Sequence, residues 1–325
     1  MKTVILDGKT LGDDINLDIF GDNTEIFGTT EPELVAERIK DAEVVIINKI
    51  KLGGHNLKNA TNLKLICVAA TGYDNVDTTY CKEHGIAVCN VVGYSTQSVA
   101  QLTISMVLSL AMHQKEYNDF VKSGEYTKSG VANRLSPTYY EVAGKTWGIV
   151  GLGNIGKQVA RVAEAMGCNV LAFKRTPSDE YNTVSLSELM EKSDIITVHL
   201  PASSETNGII SREMISKMKK NAILVNVARG SVTDEEALCD AILKGKIGGL
   251  GVDVYTKEPF DEIHPMNRVK ALDNVILTPH IAWGAYESRV RCLDEIRKNI
   301  ESFEKGEKET EWFKNTHKIV RIFLL

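Results

Sequence analysis

Short apolar runs alternate with amphipathic helical stretches along most of this chain. Continuous apolar runs of strand length are typical of parallel strands whose two faces are both buried. Because strands and helices alternate, the pattern predicts an α/β fold built on parallel sheets. After a first strand within residues 1–10, the runs predict strands at 42–47, 63–68, 86–90, 147–150, 169–173, 194–199, 222–227, 249–254 and 275–277.

Two segments begin with a hydroxyl residue that is followed three residues later by a carboxylate, the capping-box pattern of a helix start. They are Ser185 with Glu188, and Thr233 with Glu236. The most apolar helical stretch, residues 99–112, is interrupted by polar side chains and is too short to cross a bilayer. We therefore expect it to be a buried helix.

The alternation of strands and helices occurs twice, over residues 4–92 and 147–277, and a long helix is expected between the two sets. This repetition predicts two Rossmann-like, doubly wound parallel-sheet domains. The first domain is expected to be discontinuous, comprising residues 1–98 and 286–325, and the second to span residues 99–285.

The C-terminal part continues with a helical pattern over residues 285–303. The tail, residues 305–325, then passes from a charged stretch to an apolar one. Three placements of this tail stay open: packed on the first domain, packed on a partner subunit, or loose.

Composition supports an ordinary globular protein. At about 150 residues per domain, a chain of 325 residues fits two domains. With 43% hydrophobic and 25% charged residues, it does not fit the disordered, collagen-like or membrane-spanning classes. Lys and Arg number 38 against 43 Asp and Glu, so no basic field favours nucleic acid or an anionic membrane as partner.

The cysteines and the first residues bear on the cellular setting. None of the six cysteines forms a C-x-x-C pair or a zinc-like cluster, so we expect no metal site. Most lie in apolar surroundings, where a free thiol behaves as a small core residue. Residues 1–10 resemble a strand and not a secretory signal. Together these features predict a reducing, cytoplasmic setting.

A glycine fingerprint follows the strand that ends near residue 150: Gly151-Leu-Gly153-Asn154-Ile155-Gly156. In such a fingerprint the first glycine permits a tight turn, the second lets a pyrophosphate approach, and the third lets helix and strand pack closely. Free N–H groups at the start of the next helix then bind the anion. The strand before and the helix after favour a dinucleotide site over a glycine-rich turn without ligand.

The strand after the fingerprint ends in Lys174-Arg175, where an NAD site usually presents an acid to the ribose 2′-hydroxyl. Because no acid is present, these two cations could instead meet a 2′-phosphate. The pair therefore slightly favours NADPH over NADH. The alternative is that both side chains are solvated and NAD binds without the acid.

Arg229, Glu258 and His280 each follow a different predicted strand of the second domain. In open α/β sheets, ligands bind beyond the carboxyl ends of the strands. A protonated His can supply the proton that a keto oxygen takes up as hydride reaches its carbon. A neighbouring carboxylate fixes the imidazole tautomer, and an arginine forks onto a carboxylate or carbonyl.

Each of these three residues also has a purely structural interpretation. Arg229 could form a surface ion pair, Glu258 could be a turn carboxylate, and His280 could be a core histidine. Their joint placement at strand ends, in a chain with a dinucleotide fingerprint, favours a catalytic role in hydride transfer to a 2-keto acid.

At these residues the chain resembles the D-isomer-specific 2-hydroxyacid dehydrogenase family over nearly its whole length. The resemblance implies that Arg229 binds and polarises the substrate, that His280 is the acid/base and that Glu258 orients it. Ala228 and Asp253 are further candidates for binding NAD(P)H, and Asp253 matches a position that contacts the nicotinamide carboxamide. The matching motifs are Gly151–Gly156, Asn226–Gly230, Gly251–Tyr255, Lys257–Pro259 and Pro279–Trp283.

The first domain carries two further matches. Residues 69–77 resemble the family loop whose backbone N–H groups receive the substrate carboxylate, which implies Thr71 and Gly72 as donors. The alternative is an ordinary turn between strand and helix. Tyr94 resembles a residue that lines the active site. The resemblance also implies a substrate-binding role for the discontinuous domain, a cleft between the domains, and a homodimer.

Within the family, Trp283 and the pair Asn48-Lys49 resemble glycerate dehydrogenases and glyoxylate/hydroxypyruvate reductases. The resemblance thus implies reduction of hydroxypyruvate or glyoxylate to D-glycerate or glycolate, with Trp283 among the substrate-binding residues. One alternative is a D-2-hydroxyacid dehydrogenase for lactate or branched 2-keto acids. An alternative of another class is an NAD(H)-sensing binding protein similar to the corepressors of this fold.

Overall fold

The computed structural model describes residues 1–306 and 322–323, and the chain divides into two compact units. One unit consists of Met1–Ser95 and Trp283–Leu325, and the other is Thr96–Ala282. The expected boundaries were 98/99 and 285/286. The assignment of substrate to one unit and dinucleotide to the other stays a prediction.

The first unit contains a six-stranded sheet in the order β12-β5-β4-β3-β1-β2. Neighbouring strands are parallel except at one edge, where β12 runs antiparallel to β5. Neither edge strand was predicted. Strand β2 is short and polar. Strand β12 lies in the tail, whose placement was left open and most of which is outside the described residues. The strands are β1 (Thr3–Ile5), β2 (Thr24–Ile26), β3 (Val44–Ile47), β4 (Leu65–Val68), β5 (Ala87–Asn90) and β12 (Ile322–Phe323).

The sheet of the first unit is covered on both faces, as its continuous apolar strands require. One face packs against the last helix through Cys292, Leu293 and Ile296, and the other packs against short helices and loops. The α-helices of this unit are α1 (Val35–Arg38), α2 (Gly54–Leu57), α3 (Thr78–Glu83) and α11 (Tyr286–Glu304).

The second unit contains a six-stranded parallel sheet in the order β11-β10-β9-β8-β6-β7. Strand β6 lies between β7 and β8, so the chain winds outward from β6 in both directions. Ligands bind at such a switch point in doubly wound sheets. The strands are β6 (Thr146–Val150), β7 (Asn169–Phe173), β8 (Ile195–Val198), β9 (Ile223–Asn226), β10 (Gly249–Val252) and β11 (Val275–Leu277).

The helices of the second unit complete its layers. The long helix α4 buries Met106, Val107 and Leu110 and contacts β9 and β10. No helix among the described residues is long and apolar enough to cross a membrane. The helices are α4 (Thr96–Ala111), α5 (Gln114–Lys122), α6 (Glu125–Ser129), α7 (Asn154–Ala165), α8 (Leu186–Lys192), α9 (Arg212–Lys217) and α10 (Glu235–Leu243).

The structure confirms the predicted fold class, the buried helix and the core position of the cysteines, which are all buried free thiols. It confirms one helix start, since Ser185 Oγ accepts the N–H of Glu188 at 3.2 Å. The other predicted start is wrong by one residue, because Asp234 caps α10 by accepting the N–H of Ala237. The Thr233 hydroxyl instead donates a hydrogen bond to the Gly230 carbonyl.

Candidate active site

Arg229, Glu258 and His280 follow β9, β10 and β11, three neighbouring strands of the second unit. Because these strands are parallel, the three residues follow the same edge of the sheet. Glu258 and His280 are in direct contact, with 2.6 Å between Glu258 Oε2 and His280 Nδ1. Both side chains are partly exposed, so the pair is accessible from solvent.

The Glu258 carboxylate is itself fixed, because its Oε1 accepts the N–H of Tyr255 at 2.8 Å. The Tyr255 hydroxyl donates to the Thr278 carbonyl at 3.0 Å, which joins the loop after β10 to the segment after β11. A carboxylate held in this way fixes the ring orientation and tautomer of its histidine. The pair therefore has the geometry of an oriented acid/base.

Asp253 anchors the turn that carries His280. Its fully buried carboxylate accepts the Thr278 hydroxyl at 2.5 Å and the N–H groups of Ile281 and Ala282 at 2.8 and 2.9 Å. His280 has a φ of 56°, an uncommon backbone conformation for a non-glycine residue and one that recurs at functional sites. Burial raises the pKa of Asp253. The structure thus gives Asp253 a positioning task that the sequence did not indicate.

Arg229 is held at the end of β9 by the buried side chain of Asn226. Asn226 Nδ2 donates to the Arg229 carbonyl at 2.9 Å, and its Oδ1 accepts the N–H of Ala228 at 3.0 Å. The next residue, Gly230, has no room for a side chain, because a Cβ there would lie 2.0 Å from the carbonyl carbon of Tyr255. The Arg229 turn therefore packs directly on the loop that leads to Glu258.

The glycine turn at the end of β6 fits a dinucleotide pyrophosphate. Gly151 has a φ of +101°, and a Cβ at Gly156 would lie 2.1 Å from the Gly151 carbonyl oxygen, so both positions require glycine. A Cβ at Gly153 would meet nothing within 4 Å, which leaves open space beside the turn. Asn154 and Ile155 begin helix α7, whose first turn has no acidic residue to compete with an anion.

Lys174 and Arg175 follow β7, beside the strand that leads to the glycine turn. Both are exposed. Arg175 Nη2 lies 2.6 Å from Glu205 Oε2, and their side chains are 82% and 66% exposed. Such an exposed ion pair contributes about 0–1 kcal/mol, so a phosphate can compete for the guanidinium.

The remaining candidates belong to the first unit. Thr71 and Gly72 lie in the loop after β4, where the Thr71 carbonyl accepts Asn90 Nδ2 at 2.6 Å and the Thr71 hydroxyl donates to the Val91 carbonyl at 2.9 Å. These bonds fix the turn to the end of β5. The backbone at Thr71–Gly72 is therefore ordered before any ligand arrives.

Tyr94 and Trp283 lie together in the same unit, with ring centroids 6.5 Å apart in an edge-to-face arrangement. The Nζ of Lys49 lies 5.9 Å from the centroid of the Trp283 ring. The Tyr94 carbonyl accepts hydrogen bonds from Ser288 Oγ and from two guanidinium nitrogens of Arg291. Helix α11 thus fixes Tyr94.

The sequence missed the positioning role of Asn226, although it stands in the motif that was singled out. The signal that the sequence offered was an amide residue at the end of an apolar strand, three residues before a candidate arginine. The described residues contain no group of three or more His, Cys, Asp or Glu side chains that could hold a metal ion.

The chain is similar to known proteins over most of its length. Residues 104–282 match the family model described as "D-isomer specific 2-hydroxyacid dehydrogenase, NAD binding domain". The chain is 37% identical to a glycerate dehydrogenase of Methylorubrum extorquens, covering 94% of this chain and 96% of the relative. It is 36% identical to a hydroxypyruvate reductase of Blautia hydrogenotrophica, with coverage of 94% and 98%.

A solved structure shows the same architecture. The D-lactate dehydrogenase of Aquifex aeolicus, in complex with NAD and lactic acid, superposes with a TM-score of 0.81 at 30% identity. The match covers 94% of this chain and 96% of that one.

Proposed function

This chain belongs to the D-isomer specific 2-hydroxyacid dehydrogenase family, and we propose that it reduces small 2-keto acids with NAD(P)H. Hydroxypyruvate and glyoxylate are the preferred substrates, giving D-glycerate and glycolate. The observation that carries this proposal is the 2.6 Å contact of His280 with Glu258, in the unit that also holds the glycine turn. Two relatives named glycerate dehydrogenase and hydroxypyruvate reductase support the choice of substrate.

The proposed chemistry divides among a few side chains. Glu258 holds Nδ1 of His280, so Nε2 delivers the proton to the keto oxygen and takes it back in the reverse reaction. Arg229 carries a permanent charge that binds the substrate carboxylate or polarises its carbonyl. The bound dihydronicotinamide supplies the hydride. We assign substrate contacts to the Thr71 and Gly72 N–H groups and to Tyr94 and Trp283.

The coenzyme is held by the glycine turn in this proposal. Gly151, Gly153 and Gly156 shape the turn, and the N–H groups of Asn154 and Ile155 bind the pyrophosphate. Ala228 is assigned to the nicotinamide end, and Asp253, whose carboxylate is fully buried, is assigned there as the anchor of the His280 turn.

Purified protein tests the function with hydroxypyruvate, glyoxylate, pyruvate and 2-ketoisocaproate, each with NADH and NADPH. We expect the highest kcat/KM with hydroxypyruvate or glyoxylate. A highest value with pyruvate would instead assign a lactate dehydrogenase, as in the Aquifex aeolicus relative. Tight dinucleotide binding without oxidation by any keto acid would contradict the enzymatic assignment and favour a dinucleotide-sensing protein.

The coenzyme preference rests on Lys174 and Arg175, which we assign to the 2′-phosphate of NADPH. Arg175→Asp should lower the ratio of kcat/KM for NADPH over NADH. Lys192→Asp, the same charge change on an exposed side chain of α8, is the matched control and should leave the ratio unchanged. An unchanged ratio in Arg175→Asp would contradict the preference.

We further propose a homodimer in the cytoplasm. Apolar side chains are exposed within one segment of the second unit, at Val121, Val131, Leu135 and Tyr140. Exposed apolar clusters mark interaction sites. Sedimentation equilibrium should give twice the mass of 35.8 kDa, and Leu135→Asp should shift the population to monomer. The buried free thiols are in keeping with a reducing compartment.

A further inference from the structure

A second glutamate–histidine pair lies beneath the loop that carries Glu258. Glu235 is the first residue of α10, and His264 lies in the segment between β10 and β11. His264 Nε2 is 3.1 Å from Glu235 Oε2, and both side chains are 5% exposed. We propose that Glu235, backed by His264, is a positioning residue for the reaction proposed above, on which this inference rests.

The Glu235 carboxylate binds one residue twice. Its Oε1 accepts the N–H of Thr256 at 3.0 Å, and its Oε2 accepts the Thr256 hydroxyl at 2.5 Å. These bonds fix both the backbone and the side chain of Thr256. A buried carboxylate is costly unless it is hydrogen-bonded, so these contacts also explain why Glu235 is tolerated here.

His264 is held from both sides of its ring. Its Nδ1 accepts the N–H of Met266 at 3.3 Å, and its Nε2 lies 3.1 Å from Glu235 Oε2. The contact with Glu235 is a close approach and not a hydrogen bond. The imidazole stacks on Phe260 at 4.9 Å and meets the edge of Tyr255 at 6.0 Å. His264 therefore shields the carboxylate from water and holds it in place.

Thr256 joins this pair to the catalytic candidates. It follows Tyr255, whose N–H donates to Glu258 Oε1. Its own nitrogen would lie 2.2 Å from a Cβ at position 230, so the Arg229–Gly230 turn rests on the same peptide. One buried carboxylate thus fixes the backbone that contacts both the arginine turn and the glutamate of the acid/base pair.

The charge of Glu235 also suits its place in α10. The first turn of a helix carries a partial positive charge, which favours a carboxylate. Glu236, the next residue, shares this helix turn, but its side chain is 58% exposed and pairs with Arg268 at 2.5 Å. Glu236 is therefore a matched control that shares the charge and the helix but not the contact with Thr256.

The test compares four variants of the protein. Glu235→Ala should lower kcat about 10- to 100-fold, because small displacements of reacting groups have effects of that order. Dinucleotide affinity, followed by fluorescence titration, should stay within about 2-fold, since interactions far from a changed side chain are largely independent. Glu235→Gln should recover most of the activity, because its amide oxygen still accepts the Thr256 N–H.

Thr256→Val serves as a milder variant, since Thr256 is exposed and the change removes only its hydroxyl. It should give a loss between those of Glu235→Gln and Glu235→Ala. In both Glu235→Ala and Thr256→Val, the primary deuterium isotope effect with deuterated NADH should rise as the chemical step becomes rate-limiting. Glu236→Ala should leave kcat and the isotope effect unchanged.

Three results would overturn the inference: an unchanged kcat in Glu235→Ala, an equal loss in Glu236→Ala, or a loss of dinucleotide affinity as large as the loss in kcat. A readout independent of turnover is the low-field proton resonance of His280 Nδ1–H bound to Glu258, in protein labelled at histidine. It should be present in the native protein and in Glu235→Gln, and lost in Glu235→Ala.

The proposed function and the role of Glu235 can be rejected independently of each other. If His280→Ala keeps native turnover, the acid/base assignment is wrong. The histidine resonance would still decide whether Glu235 positions the Glu258–His280 pair.

Discussion

Both units of the molecule hold a loop with a buried aspartate placed just after a parallel strand. In the first unit, Asp7 follows β1 and accepts the N–H groups of Asn48, Lys49 and Ile50 after β3. In the second, Asp253 follows β10 and accepts two N–H groups after β11. Burial raises the pKa of both carboxyls.

The difference between the units lies in what each anchored loop carries. The Asp253 loop carries His280 in contact with Glu258, on a sheet whose switch point holds an open glycine turn. The Asp7 loop carries Lys49, whose Nζ lies 5.9 Å from the centroid of the Trp283 ring. We assign the anchored loop to acid/base chemistry in the second unit and to substrate contacts in the first.

The largest effect is expected at His280. His280→Ala should lower kcat about 10²- to 10⁴-fold, the range that general acid/base catalysis supplies. Dinucleotide affinity should change little, because the glycine turn is untouched. His84→Ala removes an exposed histidine of the first unit and should leave kcat unchanged. Steady-state kinetics and fluorescence titration check both variants, and comparable losses would remove the proposed distinction between the units.

Two substitutions in the glycine turn distinguish an effect on folding from an effect on dinucleotide binding. Gly156→Ala places a Cβ 2.1 Å from the Gly151 carbonyl oxygen and should destabilise the protein by about 1–3 kcal/mol. A Cβ at Gly153 would meet nothing within 4 Å, so Gly153→Ala should lower the free energy of unfolding by no more than about 1 kcal/mol, the cost of alanine at the N-cap of α7. It should nevertheless weaken dinucleotide binding, because the Cβ occupies the space assigned to the pyrophosphate. Urea denaturation and titration measure the two effects, and full affinity in Gly153→Ala would contradict the assignment.

The two buried aspartates should share a pH dependence of stability. Because burial raises their folded-state pKa values, the native protein binds more protons than the unfolded chain between the ordinary and the raised pKa. The free energy of unfolding therefore falls as pH rises through that window. Asp7→Asn and Asp253→Asn should each flatten this slope in urea titrations above about pH 4. A flatter slope in only one of the two variants would contradict the expectation that both buried aspartates contribute to this pH dependence.

The smallest effect concerns helix α8, outside both anchored loops. Ser185→Ala removes the hydroxyl that accepts the Glu188 N–H and should lower the free energy of unfolding by about 1 kcal/mol. Thr233→Ala tests the corrected start of α10. Because Asp234 is the cap, this change leaves the cap in place and removes the bond of the Thr233 hydroxyl to the Gly230 carbonyl. A shift in kcat for Ser185→Ala would show that the site depends on the general stability of the second unit.

Strand positions could be predicted because parallel strands buried on both faces leave continuous apolar runs. β2 left no such run, since the segment Thr24–Ile26 is short and its last two residues are exposed. The helix start at α10 was misplaced because Thr233 and Asp234 are both suitable caps. The sequence does not show that the Thr233 hydroxyl donates to the Gly230 carbonyl, which leaves Asp234 as the cap.

The candidate acid/base residues could be placed after strand ends, but their contact could not be read from sequence. Glu258 and His280 are 22 residues apart, and their 2.6 Å separation depends on the packing of two loops. Glu235 had no signal at all, because an acid in the first turn of a helix is ordinary. Only its burial against Thr256 and His264 distinguishes it from Glu236.

Hydride transfer to a 2-keto acid with His280 as the proton donor is tested by following the transferred hydride. The enzyme is incubated with hydroxypyruvate and NADH or NADPH that carries deuterium on the transferred position, and the product is resolved by chiral chromatography and mass spectrometry. We expect D-glycerate with one deuterium at C2 in the native protein, and far slower formation of the same product in His280→Ala. Formation of L-glycerate, or product without coenzyme-derived deuterium, would contradict this expectation.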